Sequence, residues 1–395
     1  MSAVALRFGF GRLWASSMLS NLSDGFRAAA FPLVAATLTR DPMLVAGVTV
    51  AQEVPWVIAG PLAGVAVDRV DRGRLMWAVN TVRALVFGVV VMAVVFDLPS
   101  LWLLYLTAFA LGVGESLYDN AAQSAVPALV DPEDLERANG RIVAAQVIGN
   151  EFVGPPLGAL LFGLAVVLPF GASAFSLLIA ALLVMGLVGK LRPVDPSALG
   201  QGIWRQVREG FRFVARDRKL STITLLAGLL SAADAAWFAV LVLYVIEVLG
   251  TSEAGFGVIL AIGAVGGITG AMLANRLTQR MPDGVVLAGS LVISATTQFL
   301  LWTASNTVFA VTLIAVSSLS FGIWNVVAVS MRQRLSPSRL LGRVNATYNT
   351  VAGGAAPIGA ILGGVAAAQW GIRAPFLIGV PALIAGAVLA AIRLR

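Results

Sequence analysis

Two long stretches of this chain contain no charged residue. They run from Phe152 to Gly189 and from Gly284 to Met331. A helix that crosses a bilayer needs about 20 mostly apolar residues. Each stretch is broken near its middle, at 168–169 and at 305–306, by proline or polar residues. Each stretch therefore predicts two membrane-spanning helices.

The composition of the whole chain points the same way. Of its 395 residues, 58% are hydrophobic and 12% are charged, against about 25% charged in ordinary soluble domains. The chain has no cysteine and no histidine, which excludes disulfides and the usual transition-metal ligands. No phosphate-binding G-x-x-x-x-G-K-[ST] sequence occurs either. We predict a polytopic membrane protein that is not an enzyme and needs no cofactor or metal.

The apolar segments predict an all-α fold with twelve spans in two six-helix bundles. In the first half they lie at 13–39, 43–67, 75–96, 100–129, 139–166 and 169–190. In the second half they lie at 220–249, 254–275, 284–303, 306–331, 344–369 and 374–392.

The basic residues predict the orientation of these spans. With the N-terminus inside, 23 of the 27 Lys and Arg residues fall in cytoplasmic segments, and the outer loops hold only Arg40 and Arg373. Cytoplasmic loops of membrane proteins carry such an excess. We therefore expect both termini in the cytoplasm and a prokaryotic-type inner membrane. The net charge of +7 then reflects topology, and no nucleic-acid partner is expected.

An internal repeat divides the chain into two halves. The sequence PLGALLFG (156–163) matches PIGAILGG (357–364), about half a chain apart, as in secondary transporters. We predict domains at 1–190 and 220–395. The basic linker 191–219 contains an amphipathic helix, with apolar residues at helical spacing from Ile203 to Val214, suited to the cytoplasmic leaflet.

Glycine pairs four residues apart occur only in the second and fifth predicted helix of each half. Small residues let helix backbones approach closely in lipid. We interpret these helices as the contact between the halves. The predicted interface residues are Gly60, Gly154, Pro155, Gly158, Gly266, Gly270, Gly359 and Gly363.

Ionisable residues inside the predicted spans need a functional or structural reason, because each costs ~2.5–3.5 kcal/mol on insertion scales. Asp24 and Arg27 share one helix face and either neutralise each other or act on a substrate. Glu115 and Asp119 also share a face, and they either couple protons or contact the substrate, or else pair structurally with Arg83. The candidates for proton coupling or substrate contact are Asp24, Arg83, Glu115, Asp119 and Asp234.

Spans 1 and 4 are too polar to face lipid at SNLSDG (20–25) and ESLYDNAAQS (115–124). They are expected to line a cavity, with aromatic residues from the other half. The cavity-lining candidates are Asn21, Arg27, Tyr118, Asn120, Gln123, Trp237, Gln298, Asn325 and Tyr348.

The loop between spans 2 and 3 resembles the signature G-x-x-x-D-[RK]-x-G-[RK]-[RK] of the major facilitator superfamily. Asp71 stands at the glycine position of this signature, and a glycine follows only later, at Gly73. The sequence GPPLG (154–158) resembles the fifth-helix motif of antiporters, and 125–140 is similar to the subgroup of enterobactin, drug and macrolide exporters. The residues of this predicted gating loop are Gly64, Asp68, Arg69, Arg72, Gly73 and Arg74.

The resemblance implies a major facilitator fold and a proton-coupled exporter of small amphiphilic molecules working by alternating access. Its expected partners are a small-molecule substrate, protons and the lipid bilayer, and a monomer is expected. The repeat and the glycine pairs indicate that Asp68, at the cytoplasmic end of span 2, closes an inner gate, and a merely solvated loop is the alternative. An importer or symporter and a lipid flippase remain alternatives of the same fold. A receptor or scaffold is disfavoured by the polar residues of spans 1 and 4.

Overall fold

The computed structural model describes residues 3–191, 203–337 and 340–394, and the side chains of all these except 3–8, 59–69, 132, 136, 203–207 and 341. Within these ranges the secondary structure is helical throughout. The first half contains α1 (Ala3–Leu38), α2 (Pro42–Arg69), α3 (Arg72–Val95), α4 (Leu101–Ala125), α5 (Leu135–Val147), α6 (Gly154–Leu164) and α7 (Leu168–Met185). The remainder contains α8 (Ile203–Arg216), α9 (Arg218–Phe238), α10 (Leu241–Leu243), α11 (Glu253–Thr278), α12 (Asp283–Thr303), α13 (Thr307–Leu335), α14 (Leu341–Trp370), α15 (Pro375–Ile378) and α16 (Val380–Arg393).

Polar capping residues stand directly before several of the apolar helices. Ser100 accepts a hydrogen bond from the Leu103 amide before α4, and Ser252 caps α11 in the same way. Asn306 accepts from the Phe309 amide, at 3.1 Å, before α13. Each cap satisfies a backbone N–H that the helix leaves free. The helices therefore begin where a capping side chain meets an apolar run.

Ten helical stretches in the described part of the chain are long and apolar enough to cross a membrane. They include α5 and α6 as one stretch, Arg137–Leu164, and α15 and α16 as another, Pro375–Arg393. The two first helices are also long, with 36 residues in α1 and 28 in α2. These findings confirm an all-helical membrane fold, while the number of twelve spans stays a prediction.

The chain forms two compact units. One comprises Met1–Leu38 and Val54–Gly200, and the other comprises Thr39–Glu53 and Gln201–Arg395. In the first unit, α1 packs on α6 and α7, and α3 packs on α4 and α7. In the second, α9 packs on α14, α11 on α13, and α12 on both α13 and α16. The start of α2 groups with the second unit, which a division at residue 190 does not anticipate.

The paired glycines lie at close helix crossings inside each half, and their role in joining the halves stays a prediction. A Cβ on Gly158 would lie 2.7 Å from the Cα of Phe26 on α1. In the second half, Gly359 lies against Ala232 on α9, so the fifth span packs on the first in both halves. The other described members do the same within their own half: Gly154 and Pro155 on Gly25, Gly266 on Ala315, Gly270 on Leu319 and Gly363 on Ala236. Gly60 is outside the described side chains.

The predicted fifth span is helical but not regular. The segment Ile148–Val153 is a π-helical turn, in which the Gly154 amide donates to the carbonyl of Gly149, five residues back. Pro155 and Pro156 follow and have no amide hydrogen to donate. The ordinary hydrogen bonds between residues four apart are therefore interrupted from this turn to the two prolines. Such π-helical turns occur frequently at functional sites.

Candidate functional site

Five charged side chains lie buried together in the first unit, on α1, α3 and α4. Their exposed fractions are 6% or less, and the group consists of Asp24, Arg27, Arg83, Glu115 and Asp119. All five were identified in the sequence as candidates for coupling, substrate contact or cavity lining. We call this group the acidic cluster, because it contains three carboxyl groups and two guanidinium groups.

Asp24 on α1 pairs with Arg83 on α3. The Arg83 Nη2 atom donates to Asp24 Oδ1, and Nη1 donates to Ser20 Oγ at 2.9 Å and to Asn80 Oδ1 at 3.4 Å. The Arg27 guanidinium lies farther from Asp24, at 3.8 Å. The interpretation in which Asp24 and Arg27 simply neutralise each other is therefore incomplete, since the closer partner of Asp24 comes from another helix.

Glu115 on α4 pairs with Arg27 on α1. The Arg27 Nη2 atom lies 2.5 Å from Glu115 Oε2, and Arg27 Nη1 donates to the Ala108 carbonyl at 3.4 Å. The second carboxylate oxygen of Glu115 accepts from Asn150 Nδ2 at 3.2 Å. Asn150 belongs to the π-helical turn, so the irregular fifth span brings an amide to the cluster.

Asp119 lies one turn farther along α4 and has a different environment. Its Oδ2 atom accepts from Gln146 Nε2 at 2.9 Å, and the residue is 6% exposed. Among the residues described, no lysine or arginine lies within 4.0 Å of the Asp119 carboxylate. Asp119 is thus the carboxyl group of the cluster that is held by neutral amides, those of Gln146 and Asn21.

Four neutral polar residues around the cluster were not identified from the sequence: Ser20, Asn80, Gln146 and Asn150. A usable signal existed for the last two, which stand four residues apart and so share a face of one helical segment. Asn80 likewise precedes Arg83 by three residues. These residues donate hydrogen bonds to the charged groups or accept hydrogen bonds from them, which lowers the free-energy cost of burying the charges.

Of the other cavity-lining candidates of the first half, Asn21 forms a side-chain hydrogen bond with Asp119 of the acidic cluster, and none of the rest joins the cluster through the contacts described. The Tyr118 hydroxyl lies 2.7 Å from Ser16 Oγ, and the Asn21 amide donates to the Ser17 carbonyl. Asn120 donates to the Ser116 carbonyl, and Gln123 is exposed.

In the second half, the structure brings together Asp234, Trp237 and Gln298, a grouping that the sequence did not indicate. Gln298 Nε2 donates to Asp234 Oδ1 at 3.0 Å, and Trp237 Nε1 donates to the same oxygen at 3.3 Å. Tyr348 lies elsewhere, under the guanidinium of Arg332, whose Cζ is 3.5 Å from the ring centroid. Asn325 is half-buried on α13.

The second part of the predicted gating loop, from Asp71 to Arg74, is held by contacts within the first half of the chain. Asp71 caps α3 by accepting from the Arg74 amide at 2.8 Å, and its other oxygen accepts from the Leu191 amide at 3.2 Å. Gly73 packs on Leu187, where a Cβ would lie 2.7 Å from the carbonyl oxygen. These contacts give structural roles to Asp71, which occupies the glycine position of the superfamily pattern, and to Gly73, which stands two residues later. The side chains of Gly64, Asp68 and Arg69 are not described, and the gating role of the loop stays a prediction.

The apolar helices define a multi-pass membrane protein, and the match to a family model identifies it as a transporter of the major facilitator superfamily. The chain belongs to its transmembrane secretion effector family, whose model matches residues 5–395. It is therefore a transporter and not an enzyme, and it resides in the bacterial inner membrane.

Individual relatives cover almost the whole chain. Macrolide efflux protein A of Streptococcus pyogenes is 23% identical over 93% of this chain and 92% of the relative. Enterobactin exporter EntS of Shigella boydii serotype 4 is 27% identical over 96% of this chain and 90% of the relative. The crystal structure of a bacterial homologue of the iron transporter ferroportin has a TM-score of 0.74 at 17% identity, covering 99% of this chain and 98% of that one. The last of these supports the fold alone.

Proposed function

We propose that this chain is a proton-coupled exporter of small amphiphilic molecules that works by alternating access. The observation that carries the proposal is the acidic cluster, in which three buried carboxyl groups share two arginines. Export as the direction is supported by the relatives, which are named as an efflux protein and an exporter. The proposal includes twelve spans, cytoplasmic termini and a monomer.

The charges of the cluster do not balance when every group is ionised. Asp24, Glu115 and Asp119 carry three negative charges and Arg27 and Arg83 carry two positive ones, which leaves one negative charge in excess. Asp24 and Glu115 each have a close arginine. The excess charge therefore belongs to Asp119, whose described partners are the neutral amides of Gln146 and Asn21.

A proton on Asp119 would make the cluster neutral. Burying an uncompensated charge inside a membrane is expensive, so the protonated cluster is the form suited to a closed, dry state. The deprotonated cluster is the form suited to contact with water on one side of the membrane. Proton binding and release at Asp119 would thus favour different conformations, which is the requirement for coupling.

The experiment begins with a thermal-shift screen of macrolides, siderophores and amphiphilic dyes against the purified protein. The compound with the largest shift is then used for flux in proteoliposomes, with and without an imposed pH gradient. A pH-sensitive dye reports proton movement in the same vesicles. Wild type is expected to accumulate the compound against its gradient only when the pH gradient is present.

Asp119→Asn is expected to abolish gradient-driven accumulation and compound-driven proton movement, while the protein stays folded and still binds the compound. Asp131→Asn is the matched control, since Asp131 is exposed and makes no capping hydrogen bond. Undiminished gradient-driven transport by Asp119→Asn would overturn the coupling role. Accumulation on the opposite side of the membrane would replace export by import, and flux of labelled lipid alone would point to a flippase.

A further inference from the structure

We infer that Asp234 and Gln298 form a recognition site for a protonated amine on the transported molecule. The inference deepens the proposed export function, because the amine would belong to the exported substrate. It depends on the second unit alone, where α9 contributes Asp234 and α12 contributes Gln298.

The Asp234 carboxylate has neutral partners in the described structure. Both donors that reach it, Gln298 Nε2 and Trp237 Nε1, bind the same oxygen, Oδ1. No lysine or arginine lies within 4.0 Å of Asp234 among the residues described. The residue is half-buried, so its charge is neither paired nor fully solvated, although it lies within a candidate membrane span.

Gln298 supplies a second unused acceptor beside this carboxylate. The side chain is 0% exposed, and its Oε1 atom has no hydrogen-bond partner in the described part of the chain. Because Nε2 is engaged with Asp234, Oε1 points away from that hydrogen bond, toward Gly379. A Cβ on Gly379 would lie only 2.9 Å from Oε1, so this acceptor packs against the glycine without receiving a hydrogen bond.

Trp237 fixes the position of the carboxylate. Its indole ring stacks on Phe376, with ring centroids 5.9 Å apart, and it is 7% exposed. A ring held in this way directs its Nε1–H to Asp234 Oδ1 and leaves Oδ2 as the available oxygen. The site is therefore set by packing of α9 against α15, and not by a mobile side chain.

The chemistry of the unused groups selects the ligand. Oδ2 of Asp234 and Oε1 of Gln298 are both acceptors, so the ligand must bring N–H or O–H donors. A neutral donor would leave the carboxylate charge uncompensated inside the membrane, whereas a protonated amine supplies donors and the opposite charge together. A metal ion is disfavoured, because no group of three or more acidic residues that could hold one occurs in the described residues.

The test compares two probes that differ in one group, N-dansyl-1,5-diaminopentane and its N-acetyl derivative. Binding to the full-length protein in detergent is measured by fluorescence anisotropy at pH 7, where the free amine is protonated. Wild type is expected to bind the amine at least tenfold more tightly than the acetylated probe. Asp234→Asn should lower amine affinity at least tenfold and leave binding of the acetylated probe unchanged.

Three further variants separate recognition from folding. Asp234→Glu keeps the charge and should retain amine preference, and Gln298→Met removes the second acceptor and should weaken amine binding even if Asp234→Asn fails to fold. Asp283→Asn is the matched control, since its carboxylate pairs with an exposed arginine, Arg334, at the start of α12. It should bind both probes as wild type does.

Equal binding of the two probes by wild type, or no binding of the amine, would overturn the inference. So would an amine affinity that Asp234→Asn leaves unchanged, or an equal loss for both probes. Because the measurement uses no pH gradient, it can fail while gradient-driven export through Asp119 stands. Conversely, absence of gradient-driven flux in wild type would remove the export function without affecting amine binding.

Discussion

Arg83 crosses the surface of α4 at Gly114. The Cδ and Cγ atoms of the arginine lie 2.7 and 2.8 Å from the position that a Cβ on Gly114 would occupy. Any side chain at 114 would displace the arginine stem, which leads to the buried pair with Asp24. One glycine on α4 therefore determines whether α3 and α1 can form their ion pair.

Gly114→Ala is expected to destabilise the protein. The added methyl group overlaps the Arg83 stem, and overpacking of this kind typically costs about 1–3 kcal/mol. The measurement is the Tm of the purified protein in detergent. Gly88→Ala on α3 is the matched control, because no atom lies within 4 Å of its Cβ position, and it should not lower the Tm. Equal effects of the two changes would contradict the close crossing.

The pair of Asp24 and Arg83 is expected to behave as a coupled unit. Removing one partner leaves the other charge buried and unpaired, so Asp24→Asn or Arg83→Met alone should cost ~3–5 kcal/mol. The double variant should lose less than the sum of the single losses. The surface pair of Asp283 and Arg334, with the arginine side chain 59% exposed, serves as the comparison and should be worth ~0–1 kcal/mol.

The measurement is a double-mutant cycle on the free energy of unfolding, with a mild denaturant series in detergent. Additive losses for Asp24→Asn and Arg83→Met would show that the two side chains do not stabilise each other. A large coupling energy for the surface pair would show that the method responds to net charge instead of burial.

Much of the fold could be predicted because the membrane fixes the length of an apolar helix. The predicted span 284–303 is α12 (Asp283–Thr303), and the predicted span 75–96 is α3 (Arg72–Val95). Interruptions inside spans were harder to predict. The helix break after Phe238 lies within one uninterrupted apolar sequence, so neither hydropathy nor charge marks it.

The members of the acidic cluster could be predicted, but their pairing could not. Charge inside a span identifies Asp24, Arg83 and Glu115 individually, and spacing shows which residues share a face of one helix. Spacing does not show which helix that face meets. The pairing of Glu115 with Arg27 depends on how α1 and α4 pack, which is a property of the whole bundle. The paired glycines are a similar case, since they indicate close approach without naming the partner.

Gly363→Ala should destabilise the packing of α14 on α9. A Cβ at 363 would overlap the backbone of Ala236 on α9. This backbone cannot move without disturbing the hydrogen bonds of α9. We expect the free energy of unfolding to fall by ~1–3 kcal/mol, which is measured as a lowered Tm. Gly354→Ala lies on the same helix with no atom within 4 Å of its Cβ position. It should be neutral or stabilising, since alanine favours a helix over glycine. A lower Tm for Gly354→Ala than for Gly363→Ala would contradict the packing.

Asp71→Ala should destabilise the start of α3 and release it from Leu191. Asp71 makes two hydrogen bonds, one that caps the Arg74 amide and one to the Leu191 amide, and loss of a cap costs about 0.5–2 kcal/mol. Asp71→Ser should keep the cap and lose the second bond, so its Tm is expected between those of wild type and Asp71→Ala.

Hydrogen exchange at the Arg74 and Leu191 amides separates the two bonds. Both amides should exchange faster in Asp71→Ala, and Leu191 alone in Asp71→Ser. Asp131→Ala, at an aspartate without a capping hydrogen bond, should leave both rates unchanged. Unchanged exchange at Leu191 in both Asp71 variants would show that Asp71 does not hold the loop to the segment that follows α7.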